Sequence, residues 1–166
     1  MTGEHRRDQK VRTGFAVLTV TDSRTKESDK SGQVAQELIR SEGHTIVEYG
    51  LVPNKGDAIV EKVRGYLENP EIRVIVTSGG TGVGSRDVTV RTIVPLFEKH
   101  LDGFGEFFRR ISYEEIGIAG IYSQASAGMI GKTILYCLPG SKNAMTTALT
   151  KVILPGLGHL LWEVDR

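Results

Sequence analysis

Apolar and polar positions along the chain alternate between a strand-like and a helix-like period. Residues 14–21 (GFAVLTVT) form a continuous apolar run rich in β-branched residues, which predicts a strand covered on both faces. The polar segment 22–32 predicts a loop. Val34, Ala35, Leu38 and Ile39 then fall at helical spacing, and Gly43 supplies a helix stop. Residues 45–52 predict a second strand, and Ile59, Val60, Val63 and Leu67, beyond Pro53, a second helix. Residues 73–77 predict a short, fully apolar third strand. Val90, Ile93, Val94 and Phe97 mark a third helix that Pro95 bends or splits. Residues 102–117 predict a shorter helix with a mixed face, and residues 133–139 a fourth strand. The last helix carries Ala144, Ala148 and Val152, and Pro155–Gly156 is expected to break it before a final short helix to Trp162. Strands separated by helices predict an α/β fold, a single domain with a mostly parallel sheet and helices on both faces. Ligands in such folds bind beyond the carboxyl ends of the strands. The loops after residues 21, 52, 77 and 138 are therefore expected along one edge.

Composition narrows this picture. A chain of 166 residues fits one domain, expected over residues 13–166 behind a flexible tail at 1–12. Arg6, Arg7, Lys10 and Arg12 in that tail are diluted by Glu4 and Asp8, so it reads as solvated rather than as a grip on an anionic partner. Lys plus Arg is 21 against 20 Asp plus Glu, a net charge of +1 that removes the electrostatic case for nucleic acid. No stretch has the roughly 18 consecutive apolar residues of a membrane span, and the polar N-terminus has no apolar signal core. A cytoplasmic setting with no membrane partner is expected. Cys137 stands alone, which excludes an internal disulfide and a multi-cysteine metal site.

The glycines carry the chemical signal. The loop S-G-G-T-G-V-G-S-R-D-V-T (78–89) follows a strand and precedes a helix. Glycines there can turn backbone N–H groups toward a phosphate or carboxylate, and a helix N-terminus adds partial positive charge. It is not the dinucleotide fingerprint, since Ser85 occupies the third glycine position. Asp87 closes the loop: beside a phosphate it suits a bridging Mg²⁺, and it or Thr89 equally suits the cap of the third helix. L-P-G-S-K-N (138–143) is a second strand-to-helix turn and a second candidate anion site. G-M-I-G-K-T (128–133) approaches a Walker loop, but Ser126 replaces its first glycine and a strand follows Lys132. His5, His44, His100 and His159 show no metal-ligand spacing and lie outside the candidate loops. Phe104, Phe107, Phe108 and Ile111 put a large apolar surface on one short segment, which predicts core and subunit contacts in a homo-oligomer.

Four runs occur here in one order: T-D-S-R-T-K-E-S-D-K-S-G (21–32), S-G-G-T-G-V-G-S-R-D-V-T (78–89), G-F-G-E-F-F-R-R-I-S (103–112) and L-P-G-S (138–141). In that order they resemble the MoaB/Mog family of molybdenum cofactor biosynthesis proteins over about residues 13–164, and D-K-S-G at 29–32 resembles the MoaB branch. The resemblance implies trimers or hexamers, molybdopterin as substrate, and transfer of AMP from Mg-ATP to its terminal phosphate with release of pyrophosphate. Other cofactor-biosynthesis proteins become possible partners. Carried over by position, Ser78, Gly79, Gly80, Thr81 and Gly82 line the pterin-phosphate site, with Ser123 and the Pro139–Gly140–Ser141 loop on the substrate. Asp87 takes the acidic place at the Mg²⁺ and phosphate centre, and Glu106 matches the acid of the GFGE run. Two positions depart from the family pattern: Asn54 stands where a Val-Pro-Asp aspartate is usual, and Gln124 where an arginine is usual. N-K-G-D (54–57) reads either as a capping box or as a place where Asp57 supplies the missing charge. Three functions stay open: an adenylyltransferase, a pterin-binding carrier without turnover, and a pyrophosphatase-like relative.

Overall fold

A computed structural model describes residues 10–166; the expected tail therefore lies mostly outside the described residues, as does His5. Strands β1 (Gly14–Val20), β2 (Thr45–Val52), β3 (Val74–Ser78), β4 (Lys99–His100), β5 (Ser126–Ile130) and β6 (Thr133–Leu138) form one sheet in the order β2-β1-β3-β6-β5-β4. The β2-β1-β3-β6 half is parallel, as the pattern predicts. Helices α1 (Lys30–Ser41), α2 (Gly56–Leu67), α3 (Thr89–Ile93), α4 (Asp102–Ile116), α5 (Lys142–Thr147) and α6 (Leu154–Asp165) cover it.

Alternation along the central strands divides the core in two. Phe15, Val17, Val74, Val76, Ile134 and Tyr136 face one side with α1, α4, α5 and α6. Ala16, Leu18, Val20, Ile75, Leu135 and Cys137 face the other with α2 and α3. Both faces are buried, which is why these strands read as unbroken apolar runs.

Two regions differ from the sequence expectation and one follows it. Residues 126–138 form an antiparallel hairpin, β5 turning into β6 at Gly131–Lys132, and β4 extends it. The turn takes Gly131 of the Walker-like run, and Gly128 lies within β5 opposite Leu135. β5 is too short and too glycine-rich to show a strand period on its own; pairing with β6 makes it a strand. Pro95 splits the third helix, as its position predicts, into α3 and a 3-10 turn at Val94–Leu96. Pro155 and Gly156, in contrast, do not break the last helix: it runs continuously from Lys142 to Asp165 through a π-helical segment, Ala148–Ile153. Wider turns ahead of Pro155 accommodate its ring and missing N–H without a stop. This helix is long and apolar enough to cross a membrane by length and composition. Its inward residues Met145, Ala148, Leu149, Ile153, Leu157 and Leu161 belong to the sheet's own core.

α4 corrects another expectation. Phe104, Phe108 and Ile111 lie on its inner face and are buried within the chain, Phe104 edge-on to Tyr136 at 5.1 Å. The apolar surface left exposed is formed by Phe107 with Tyr113, Ile116, Ile118, Ile121 and Tyr122, on α4 and the 3-10 segment Gly117–Tyr122.

Candidate active site

Parallel pairing brings the ends of β1, β3 and β6 to one edge, where their loops meet. The Gly79 N–H donates to the Leu138 carbonyl at 2.9 Å, and a Cβ on Gly140 would stand 3.3 Å from the Gly79 Cα, so the two glycine loops abut. Both glycines after β3 are required by geometry. Gly79 (φ +99°) has no room for a Cβ against the Val20 carbonyl, 2.5 Å away, and Gly80 (φ +72°) none against the Thr89 hydroxyl. Within residues 78–82, Ser78 and Thr81 are buried, so what this stretch leaves partly open is glycine at 79, 80 and 82.

Asp87 does not cap α3, and it pairs with no cation among the described residues. Its Oδ2 accepts the Gly84 N–H at 2.9 Å and braces the loop, while the α3 N-cap is Val88 with no side-chain bond. Thr89 does not cap α3 either; its buried hydroxyl has no partner among the described residues. Pro139 and Gly140 are half-buried and Ser141 is exposed; the Ser141 hydroxyl caps α5 by accepting the Ala144 N–H at 3.1 Å.

Glu106 and Ser123 approach from the other side. Glu106 is exposed on α4 and lines a cavity of about 330 Å³ with His100, Asp102, Arg109 and Ser126. Arg109 donates to the carbonyls of Ser123 (3.3 Å) and Ala125 (2.8 Å). Between them the Gln124 N–H donates to the Thr81 carbonyl at 2.8 Å. The GFGE helix is thus tied to the glycine loop through residues 123–125, although no hydrogen bond joins Glu106 to that loop among the described residues.

Sequence reasoning missed the residues that brace this edge. Asp29 is fully buried at the N-cap of α1. Its carboxylate accepts from Tyr49 (2.6 Å), Thr19 (2.7 Å), the Gly32 N–H (3.1 Å) and Ser31 (3.2 Å). Burial alone would push its pKa up; the donors from Tyr49, Thr19, Gly32 and Ser31 outweigh this and hold it below the usual value. Burial, then the bond to Asp29, pushes the Tyr49 hydroxyl pKa up. Ser31 also lies 3.0 Å from the Ser78 hydroxyl. Arg24 donates from Nη1 to Ser31 (3.1 Å) and to the Gly140 carbonyl (3.1 Å), 3.6 Å from Asp29. The available signal was Asp29 with Gly32 three residues on, the spacing of an N-cap.

The capping box at Asn54 does not form. α2 begins at Gly56, and its N-cap, Lys55, makes no side-chain bond. Asn54 instead donates its backbone N–H (2.9 Å) and side-chain amide (3.3 Å) to Asp22, which the β1–β2 pairing sets beside it. The backbone bond from Asn54 holds the Asp22 carboxyl below its usual pKa. No group of three or more His, Cys, Asp or Glu side chains converges on a metal position among the described residues. Single carboxylates on separate loops do suit a Mg²⁺ that arrives with a nucleotide and keeps water and phosphate ligands.

Comparison with known proteins decides the family. Residues 16–159 match the family described as "probable molybdopterin binding domain". Molybdenum cofactor biosynthesis protein B of Bacillus anthracis is 39% identical over 164 residues, covering 98% of this chain and 97% of that protein. The chain belongs to the MoaB/Mog family of molybdenum cofactor biosynthesis proteins. A crystal structure of a molybdenum cofactor biosynthesis protein B superposes with a TM-score of 0.92 at 38% identity, covering 95% of this chain and 99% of that one. MoaB from Pyrococcus furiosus, described as a tungsten cofactor synthesizing protein, does so at 0.84 and 35%, covering 93% and 98%. MogA, at 23% identity and a TM-score of 0.79 over 91% of this chain and 99% of its own, shares the fold. Of the two positions expected to depart from the family pattern, Asn54 binds Asp22 through its side-chain amide and Gln124 is exposed.

Proposed function

We propose that this protein works in molybdenum or tungsten cofactor biosynthesis by binding molybdopterin and transferring AMP from Mg-ATP to its terminal phosphate. The abutting loops after β3 and β6 carry the reading: two glycine turns at the same sheet edge suit a ligand pair with separate phosphates. Backbone N–H groups at Gly80 and Gly82 take one phosphate, with Gly79 shaping the turn through its bond to Leu138, and Gly140 and Ser141 before α5 take the other. Ser78 and Thr81 stand behind as supports, and Ser123 borders the pterin. An oxygen of the pterin phosphate attacks the α-phosphorus of ATP, and pyrophosphate leaves. The substrate supplies its own nucleophile, so the protein contributes position and charge neutralisation. Mg²⁺ bound with ATP neutralises phosphate charge. Asp87 faces that centre, and Glu106 closes it from α4. Relatives named for cofactor biosynthesis over the full length support the pathway.

Asn54 and Gln124 favour a second reading, a molybdopterin carrier without efficient turnover, because each removes a charge from the site. Purified protein with molybdopterin, ATP and Mg²⁺ separates the two. Pyrophosphate release that needs both substrates is the expected result, and tight pterin binding without release makes the protein a carrier. Asp87→Asn keeps the shape and the Gly84 bond but removes the charge, so kcat is expected to fall at least tenfold with the fold intact. A variant with wild-type kcat would leave Asp87 only its loop contact.

A further inference from the structure

We propose that Arg24 is the phosphate-binding cation of this edge and the clamp that holds the two glycine loops in register, a proposal that rests on the phosphate-transfer reading above. Hydrogen-bond directions around Ser31 are forced. The Asp29 carboxylate only accepts, so the Ser31 hydroxyl donates to it at 3.2 Å. Arg24 only donates, so the Ser31 oxygen accepts from Nη1 at 3.1 Å. The one Ser31 proton is then committed, and the 3.0 Å contact with Ser78 must be donated by Ser78. Ser78, at the end of β3 and fully buried, is thereby locked to Arg24 through one oxygen.

The same Nη1 reaches the Gly140 carbonyl, in the loop after β6. One guanidinium nitrogen thus ties the loops after β1, β3 and β6. Nε and Nη2 make no hydrogen bond to the described residues, and the side chain is 37% exposed. A guanidinium presents its donors in a planar fork that matches two phosphate oxygens, and its charge cannot be titrated away. Arg24 therefore has a fixed half held by protein and an unfilled half at the loop edge, beside Gly140. The ligand is a phosphoryl group, either the pterin's terminal phosphate or the phosphates of the nucleotide.

Titration calorimetry of the full chain with inorganic pyrophosphate tests this without turnover. Wild-type protein is expected to bind it, Arg24→Gln to bind at least tenfold more weakly, and Arg24→Lys, which keeps the charge but not the fork, to recover only part of the affinity while melting lower than wild type. A purely structural Arg24 would lower the melting temperature in both variants and leave affinity alone. Wild-type affinity in Arg24→Gln, or no pyrophosphate binding by wild-type protein, overturns the proposal. Parallel titrations with molybdopterin and with Mg-ATP identify the source as the one whose affinity falls in Arg24→Gln. Absence of molybdopterin binding by wild-type protein that does bind pyrophosphate instead overturns the pterin reading and leaves the Arg24 assignment standing.

Discussion

Replacing Asp29 by asparagine isolates the buried carboxylate that braces the site. Oδ2 receives Thr19 and Tyr49, and Oδ1 receives Ser31 and the Gly32 N–H, with Arg24 3.6 Å away. Asparagine retains one oxygen, best kept toward Gly32 because a backbone N–H cannot reverse its direction. Its NH₂ then faces the Thr19 and Tyr49 hydroxyls, which must rotate from donating to accepting and leave their protons without a carboxylate. Hydrogen bonds to a charged group contribute about 1.5–3 kcal/mol each. Two of them are lost, partly offset by no longer burying a charge, so the net cost is roughly 2–4 kcal/mol. For a domain of this size that lowers Tm by about 5–15 °C. The pH dependence carries its own sign. The folded pKa of Asp29 lies below its unfolded value, so its contribution is complete above the usual aspartate pKa, about 4, and is lost as pH falls through the folded value. Urea unfolding at pH 7 should show the full gap between wild type and Asp29→Asn, and the gap should narrow on acidification below pH ~4. A cost under about 1 kcal/mol at pH 7, less than one such bond contributes, or a gap that stays constant on acidification, refutes the account.

Asn54→Asp sets a second carboxylate against Asp22, so the variant should melt lower than wild type without metal and gain more Tm from Mg²⁺; an equal Mg²⁺ response in both proteins argues against these loops as a metal edge. Cys137 is fully buried and its thiol is pushed up to about 12 by that burial, so iodoacetamide should label it only after unfolding; rapid labelling of native protein contradicts the packing. Phe107 and Ile121 stand exposed on the apolar surface of α4 and the following 3-10 segment. Light scattering should report a trimer or hexamer for wild type and smaller species for Phe107→Ser/Ile121→Ser; a wild-type monomer of 18.2 kDa at micromolar concentration refutes the interface.

Much of this protein is written in local pattern. β1, β3 and β6 announce themselves because strands covered on both faces must be apolar throughout, and α1 and α2 because a helix with one buried face repeats at its own period. Glycine at 79 and 80 marks the turn after β3 in the sequence itself, since only glycine takes those positive φ values without strain. Three of the four ordered runs are mainly loops whose backbone shape demands particular residues, and the fourth, 103–112, lies within α4. Tertiary structure alone decided the rest. β5 exists because β6 lies beside it and β4 because β5 does, and neither has a period to declare it. Pro155 reads as a helix stop, yet the fold absorbs it in a π-helical stretch. Phe107 and Phe108 are neighbours in sequence, and the rotation of one helical residue exposes the first and buries the second. The Arg24–Asp29–Ser31–Ser78–Gly140 brace spans three loops separated by up to 116 residues. Hydrogen-bond partners at that distance leave no local periodicity, because their pairing is set by the parallel register of the strands that carry them and by nothing in the residues between.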